Sequence, residues 1–216
     1  LTNTGTIGDT GTIKIGGDLN NSGTISNTLN VRGSVILNAG SISGTINAIN
    51  NNSEGKNKFT VKENQVLQNV SITGKFEFNI ADSKALTITN LTNNDSAEIS
   101  SKIRLITGTL IVPTYTGSGD IYLFKGSNLT ITNYAGTGTI YLQEGATLTI
   151  ENATENPKLV IQTTTDETDF ATISTNGNLT ISSATYNSGD IKTVGNISLP
   201  DTTSGNKIGN LLIESG

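Results

Sequence analysis

The sequence predicts an all-β chain wound as a right-handed parallel β-helix, a β-solenoid of about 11 rungs of roughly 19 residues spanning residues 1–216 as one continuous unit. Three observations predict it: a pair of adjacent segments that match at a fixed offset, a two-residue alternation inside each apolar motif, and too little apolar mass for a thick core.

The offset is clearest between residues 117–135 and 136–154, which agree at 10 of 19 positions. The matches are Gly117/Gly136, Gly119/Gly138, Ile121/Ile140, Tyr122/Tyr141, Leu123/Leu142, Gly126/Gly145, Leu129/Leu148, Thr130/Thr149, Ile131/Ile150 and Asn133/Asn152. They are glycines and strand-forming apolar residues, the positions that a stacked rung must fix. One step earlier, Leu110-Ile111-Val112 falls in the register of Leu129-Thr130-Ile131, so the phase holds over three rungs. Elsewhere the motif persists while its spacing drifts: Leu86-Thr87-Ile88, Leu179-Thr180-Ile181, and Gly-Thr-Ile at 5–7, 11–13, 23–25 and 44–46.

Alternation gives each motif its strand. Gly11-Thr12-Ile13-Lys14-Ile15 and Asn128-Leu129-Thr130-Ile131-Thr132 place apolar side chains on every second residue, the signature of a half-buried strand. A β-sandwich also contains short strands, but it has no reason to repeat at 19 residues, whereas a coil with two or three strands per turn does. Stacking sets Ile over Ile and Leu over Leu at roughly 4.8 Å. Four or five buried side chains per rung, at about 1.5–3 kcal/mol each, can offset the entropy of ordering that rung. Eleven such rungs make a rod roughly 50–55 Å long. The right hand follows from the rule for parallel crossovers.

Composition agrees and removes several function classes. With 24 Gly, 3 Pro, 5% aromatic and 14% charged residues, the chain suits a thin core repeated along an axis. It has no Cys, Met, Trp or His, which leaves no disulfide, no thiolate or imidazole metal ligand, and no Cys- or His-dependent nucleophilic mechanism. The net charge is −5 and the cations are spread singly, so no basic stripe for nucleic acid or anionic lipid is expected. The longest apolar runs, such as Leu110-Ile111-Val112, are too short to span a bilayer, and Leu1 opens no signal-peptide pattern, so the sequence reads as an internal piece of a longer chain.

The stretch Gly17-Asp18-Leu19-Asn20-Asn21-Ser22-Gly23-Thr24-Ile25 resembles the Gly-x-Leu-x-Asn-x-Gly-x-Ile pattern of filamentous-haemagglutinin-like repeats, and autotransporter passenger domains use similar rungs. What the resemblance implies is a right-handed parallel β-helix displayed at a bacterial cell surface after export through the outer membrane. An adhesin, fibre shaft or toxin stalk would be of this kind, meeting a host-cell or bacterial surface protein or a glycan, with self-association also open.

Two stretches break the pattern. Residues 47–58 carry almost no apolar periodicity and are expected to leave the coil as a loop, either a binding loop or a plain surface excursion. Residues 163–170 gather Asp166, Glu167 and Asp169. Three acids suggest Ca²⁺, but neither EF-hand nor Gly-Gly-x-Gly-x-Asp spacing is present, and a solvated turn is the simpler reading. Asn133 and Asn152 are expected to stack amide to amide in a turn, and Tyr122 and Tyr141 to stack on an outer face, as an aromatic ladder or a sugar platform. Asn-x-Thr triplets such as Asn128-Leu129-Thr130 match the glycosylation acceptor only because of the strand pattern.

Many parallel β-helices cleave polysaccharides. Such hydrolases need two carboxylates about 5–9.5 Å apart in one groove, and the lyases need Asp-bound Ca²⁺ with an Arg or Lys base. Arg32 and Arg104 are the sole arginines, and neither neighbours an acidic cluster in sequence. The reading is therefore of a non-enzymatic segment without catalytic, cofactor or metal residues, with a self-assembling subunit and a carbohydrate-active β-helix as rivals.

Overall fold

In the computed structural model the chain is all-β and coils as a parallel β-solenoid. It describes residues 1–8, 11–50, 57–96, 100–143, 145–155 and 157–162, and beyond them the backbone of six strands between Ala171 and Ile213.

Each rung gives one strand to a first face and a longer stretch to a second. The first face holds β1 (Thr2–Asn3), β4 (Leu19–Asn21), β7 (Val35–Leu37), β9 (Asn57–Val61), β11 (Lys75–Ile80), the start of β13 (Lys102–Gly117), β14 (Asp120–Leu123), β16 (Thr139–Gln143) and β18 (Lys158–Gln162). Eight successive parallel pairings join them, which is eight turns. The second face holds β2 (Thr6–Ile7), β3 (Thr12–Ile15), β5 (Thr24–Ile25), β6 (Thr28–Val31), β8 (Ser41–Ile49), β10 (Gln65–Thr73), β12 (Ala85–Asn93), the rest of β13, β15 (Ser127–Gly136) and β17 (Thr147–Ala153), all parallel. Strands β19 (Ala171–Thr175), β20 (Leu179–Ile181), β21 (Asn187–Thr193), β22 (Ile197–Ser198), β23 (Lys207–Ile208) and β24 (Leu211–Ile213) continue both ladders.

About eight turns are traced over residues 1–162, where a uniform 19-residue period gives between eight and nine, and the eleven expected over all 216 residues differs from this count chiefly because it covers more chain. The period is not uniform. It is 19 between Ile121, Ile140 and Leu159, but 16 between Leu19 and Val35, 24 between Val35 and Phe59, and 27 between Lys75 and Lys102.

The core is a set of stacked columns. On the first face Leu19, Val35, Phe59, Phe78, Leu105, Leu123 and Leu142 follow one another in register, all essentially inaccessible to solvent. On the second, Leu86, Leu110, Leu129 and Leu148 do the same. Alternation resets where this face bends. Gln68-Asn69, Thr89-Asn90, Pro113-Thr114 and Thr132-Asn133 each put two consecutive residues outward, and the next column, Ile46, Val70, Leu91, Tyr115, Tyr134, points back in. Pro113 sits at such a bend, where its missing N–H is tolerated.

Two aromatic clusters fill the interior. Phe59 stacks on Phe78 with ring centroids 4.8 Å apart and lies 5.7 Å from Phe76. Tyr115 stacks on Tyr134 at 5.4 Å. Gly136 makes room for this second pair: a Cβ there would come within 2.6 Å of Tyr115 Cε1 and 2.8 Å of Tyr134 Oη.

Part of the stretch expected as a loop over 47–58 is strand. Asn47, Ala48 and Ile49 complete β8, with Ala48 buried between Val31 and Ile72, and Asn57 and Lys58 open β9. The pattern hid them because Ala48 is small and Asn47 faces outward. Residues 51–56, and the acidic stretch 163–170, lie outside the described residues.

Candidate interaction surface

The outward residues of the first face form their own columns. Lys75, Lys102, Asp120, Thr139 and Lys158 make one, and Glu77, Arg104, Tyr122, Tyr141 and Val160 the next. Strand alternation puts these columns on the surface because their neighbours Phe76, Ile103, Ile121, Ile140 and Leu159 fill the core.

Tyr122 and Tyr141 stack as the repeat predicts, with centroids 4.4 Å apart and planes 4° from parallel. One ring face of each is consumed by the other. Lys102 stands over Tyr122, its Nζ 5.5 Å from the ring centroid and 3.4 Å from Oη, to which it donates. Solvent therefore meets ring edges, two phenol groups and an ammonium, a surface suited to polar and edge contacts more than to a sugar lying flat on an open ring. Partial burial, then the Asp120 carboxylate, pushes both phenols above their ordinary pKa, so both remain neutral donors in the physiological range. Asp120 itself accepts from the Thr139 amide at 3.0 Å.

Arg104 continues the surface. Its guanidinium lies 4.7 Å over the Phe124 ring, and its Nε is 3.7 Å from Glu77 Oε1. The described outward aromatics, Tyr122, Phe124 and Tyr141, all belong to this one surface. The repeat exposed the two tyrosines but not the cations, because Arg104 precedes Tyr122 by 18 residues and Lys102 precedes Asp120 by 18. An 18-residue offset finds both.

The amide ladders are not where the repeat placed them. Asn133 and Asn152 are in register but lie exposed in β15 and β17, and Asn133 Nδ2 donates to the Pro113 carbonyl at 3.2 Å. Amide-to-amide bonds instead join Asn3 to Asn21, Asn38 to Asn20, Asn47 to Asn30 and Asn90 to Asn69, at 2.6–2.9 Å. Asn128 is exposed in β15. Among the described residues, no group of three or more Asp or Glu side chains gathers to hold a metal ion. The fold does bring Arg104 to an acid, Glu77, 27 residues away.

The chain matches no protein-family model, no curated protein and no solved structure.

Proposed function

We propose that this chain is a rigid, non-enzymatic shaft segment of a bacterial cell-surface protein, holding an adhesive surface away from the cell and meeting host cells, other bacteria or their glycans. The observation that supports it is the unbroken stacking of eight turns on continuous apolar columns. Each rung contacts its neighbours and adds length, so stability grows with the number of rungs while the cross-section stays constant. Chain is spent on extension, and the outer faces are left free to vary.

The Tyr122–Tyr141 surface is the part of that exterior with the composition of a contact site, being aromatic and cationic at once. Small-angle scattering on the purified chain is expected to give a rod-like profile, with adhesion to epithelial cells or bacteria that falls in a Tyr122→Ser/Tyr141→Ser double variant of unchanged circular dichroism. A compact scattering profile would remove the shaft. Release of reducing ends or unsaturated sugars from a polysaccharide panel would replace it with an enzyme.

A further inference from the structure

A second surface, on the opposite face and near the start of the solenoid, gathers hydrogen-bond donors around a concavity. Strands β3, β6 and β8 stack so that Lys14, Asn30 and Asn47 form one outward column. Asn47 Nδ2 donates to Asn30 Oδ1 at 2.8 Å. The two polar atoms of a carboxamide diverge from its carbon, so an asparagine that accepts from the rung on one side presents its N–H₂ to the rung on the other. For Asn30 that rung carries Lys14, which has donors only.

Arg32, one residue past β6, completes the group. Its backbone is held on both sides: the N–H donates to the Ile15 carbonyl at 3.0 Å, and its carbonyl accepts from Asn57 Nδ2 at 2.7 Å. The side chain therefore extends from a fixed point at the pocket rim. Lys14, Asn30 and Arg32, with Ile15, Gly16 and Ile49, line a pocket of about 400 Å³. That is the size of a small-molecule site. No carboxylate lines it among the described residues. Asp18, at the same corner, is engaged elsewhere, its Oδ1 accepting from the Ser34 amide at 2.7 Å.

Two cationic residues and the Asn30 carboxamide share this lining with Ile15, Gly16 and Ile49, in a chain of net charge −5, and among the described residues no acceptor is paired with the Asn30 N–H₂. The geometry points to a site for an oxyanion carried on a saccharide: the carboxylate or sulfate of an acidic sugar, with the charged group at Lys14, Asn30 and Arg32 and the carbon skeleton against the isoleucines. Guanidinium and ammonium groups bind such anions by charge-assisted hydrogen bonds. The site is independent of the shaft role and of the tyrosine surface.

The test is calorimetric titration of the whole chain at low ionic strength with four probes: sodium sulfate, a sulfated disaccharide, a glucuronate-bearing disaccharide, and an uncharged disaccharide of the same backbone. The charged disaccharides are expected to bind at least about tenfold more tightly than the uncharged one and than sulfate alone. Lys14→Gln and Arg32→Gln are each expected to lose about tenfold. Asn30→Asp, which keeps an acceptor for Asn47 but sets a negative charge in the pocket, is expected to abolish binding. Circular dichroism and the urea midpoint confirm that these surface variants fold. Equal affinity for charged and uncharged disaccharides, retention of binding in the variants, or no binding of either charged disaccharide at millimolar concentration would overturn the site. Sulfate binding as tightly as the sulfated sugar would overturn its saccharide half.

Discussion

Replacing Tyr115 by Phe is expected to destabilise the solenoid at neutral pH and to lose that effect in alkali. The Tyr115 hydroxyl donates to the Gly119 carbonyl at 3.2 Å and accepts from Asn93 Nδ2 at 3.3 Å, in an interior closed to water. Asn93 Nδ2 keeps a second acceptor, the Asp120 carbonyl at 3.2 Å, so the main loss is the donor to Gly119. A buried acceptor left without its donor costs about 1–3 kcal/mol, with about 2 the middle of that range. Burial pushes the Tyr115 phenol far above its ordinary value of 10.0. Above pH 10 the unfolded chain releases this proton while the folded chain retains it, so the folded state binds more protons and stability falls as pH rises, by about 1.4 kcal/mol per pH unit. Phe cannot ionise and escapes that loss. Tyr134, held at about 12 by burial, is present in both proteins and cancels in the difference. The deficit of the variant should therefore vanish about 1.5 units above 10, near pH 11.5, and reverse beyond it. Urea unfolding followed by circular dichroism from pH 7 to about 12 gives the comparison. A deficit that stays constant across that range would mean that Tyr115 ionises alike in both states and that its buried geometry is wrong.

Turn geometry, core packing and a surface ion pair give three further expected outcomes. Ser83 sits at a φ of 60°, third in a turn closed by the Lys84 amide on the Ala81 carbonyl, where the stacked turns of β14–β15 and β16–β17 use Gly126 and Gly145. Ser83→Gly should stabilise by about 0.5–1 kcal/mol and Gly126→Ala destabilise by about 1, read as shifts of the thermal midpoint. Ile131 lies fully buried between Val112 and Ile150, so Ile131→Ala should cost about 3–4 kcal/mol in urea unfolding, with hydrogen-exchange protection lost first in β13, β15 and β17. The Lys84–Glu63 ion pair is 2.7 Å long but its side chains are 33% and 55% exposed, so Lys84→Gln should move the urea midpoint by less than about 0.5 kcal/mol.

The sequence made the ladder legible where residues that must stack are also alike. Ile121 over Ile140, Leu129 over Leu148 and Tyr122 over Tyr141 are identical pairs at a constant offset, and the structure puts each in register. Where stacked residues are only equivalent in size, the signal fades. Val35, Phe59, Phe78 and Leu105 share one column, yet their offsets are 24, 19 and 27, and no fixed-period comparison aligns them. Tyr115 escaped for a related reason: it meets Tyr134 at the 19-residue offset but Leu91 and Ala153 on either side, so its column has no single residue type. The surface sites were harder. Lys14, Asn30 and Arg32 are ordinary polar residues in sequence, and only the 16-residue rung that sets Lys14 beside Asn30 makes them neighbours.

The uneven rungs also say what this architecture tolerates. In polymer terms, bringing together the ends of a 27-residue loop in place of a 16-residue one costs about 0.5 kcal/mol more, less than one buried methylene contributes. Extra chain extruded at a corner is therefore nearly neutral, and about a dozen residues can be gained or shed between strands at little cost. Removal of Leu129 from Leu129-Thr130-Ile131 is a different event. It would turn Thr130 inward and Ile131 outward against Val112 and Ile150, breaking the column at that rung and uncoupling the rod on either side. Length variation is filtered by location: nearly free at corners, accommodated as single-residue register shifts between β8 and β10 and between β11 and β13, and disruptive within the alternating stretches, which is how a solenoid keeps its columns while its period varies.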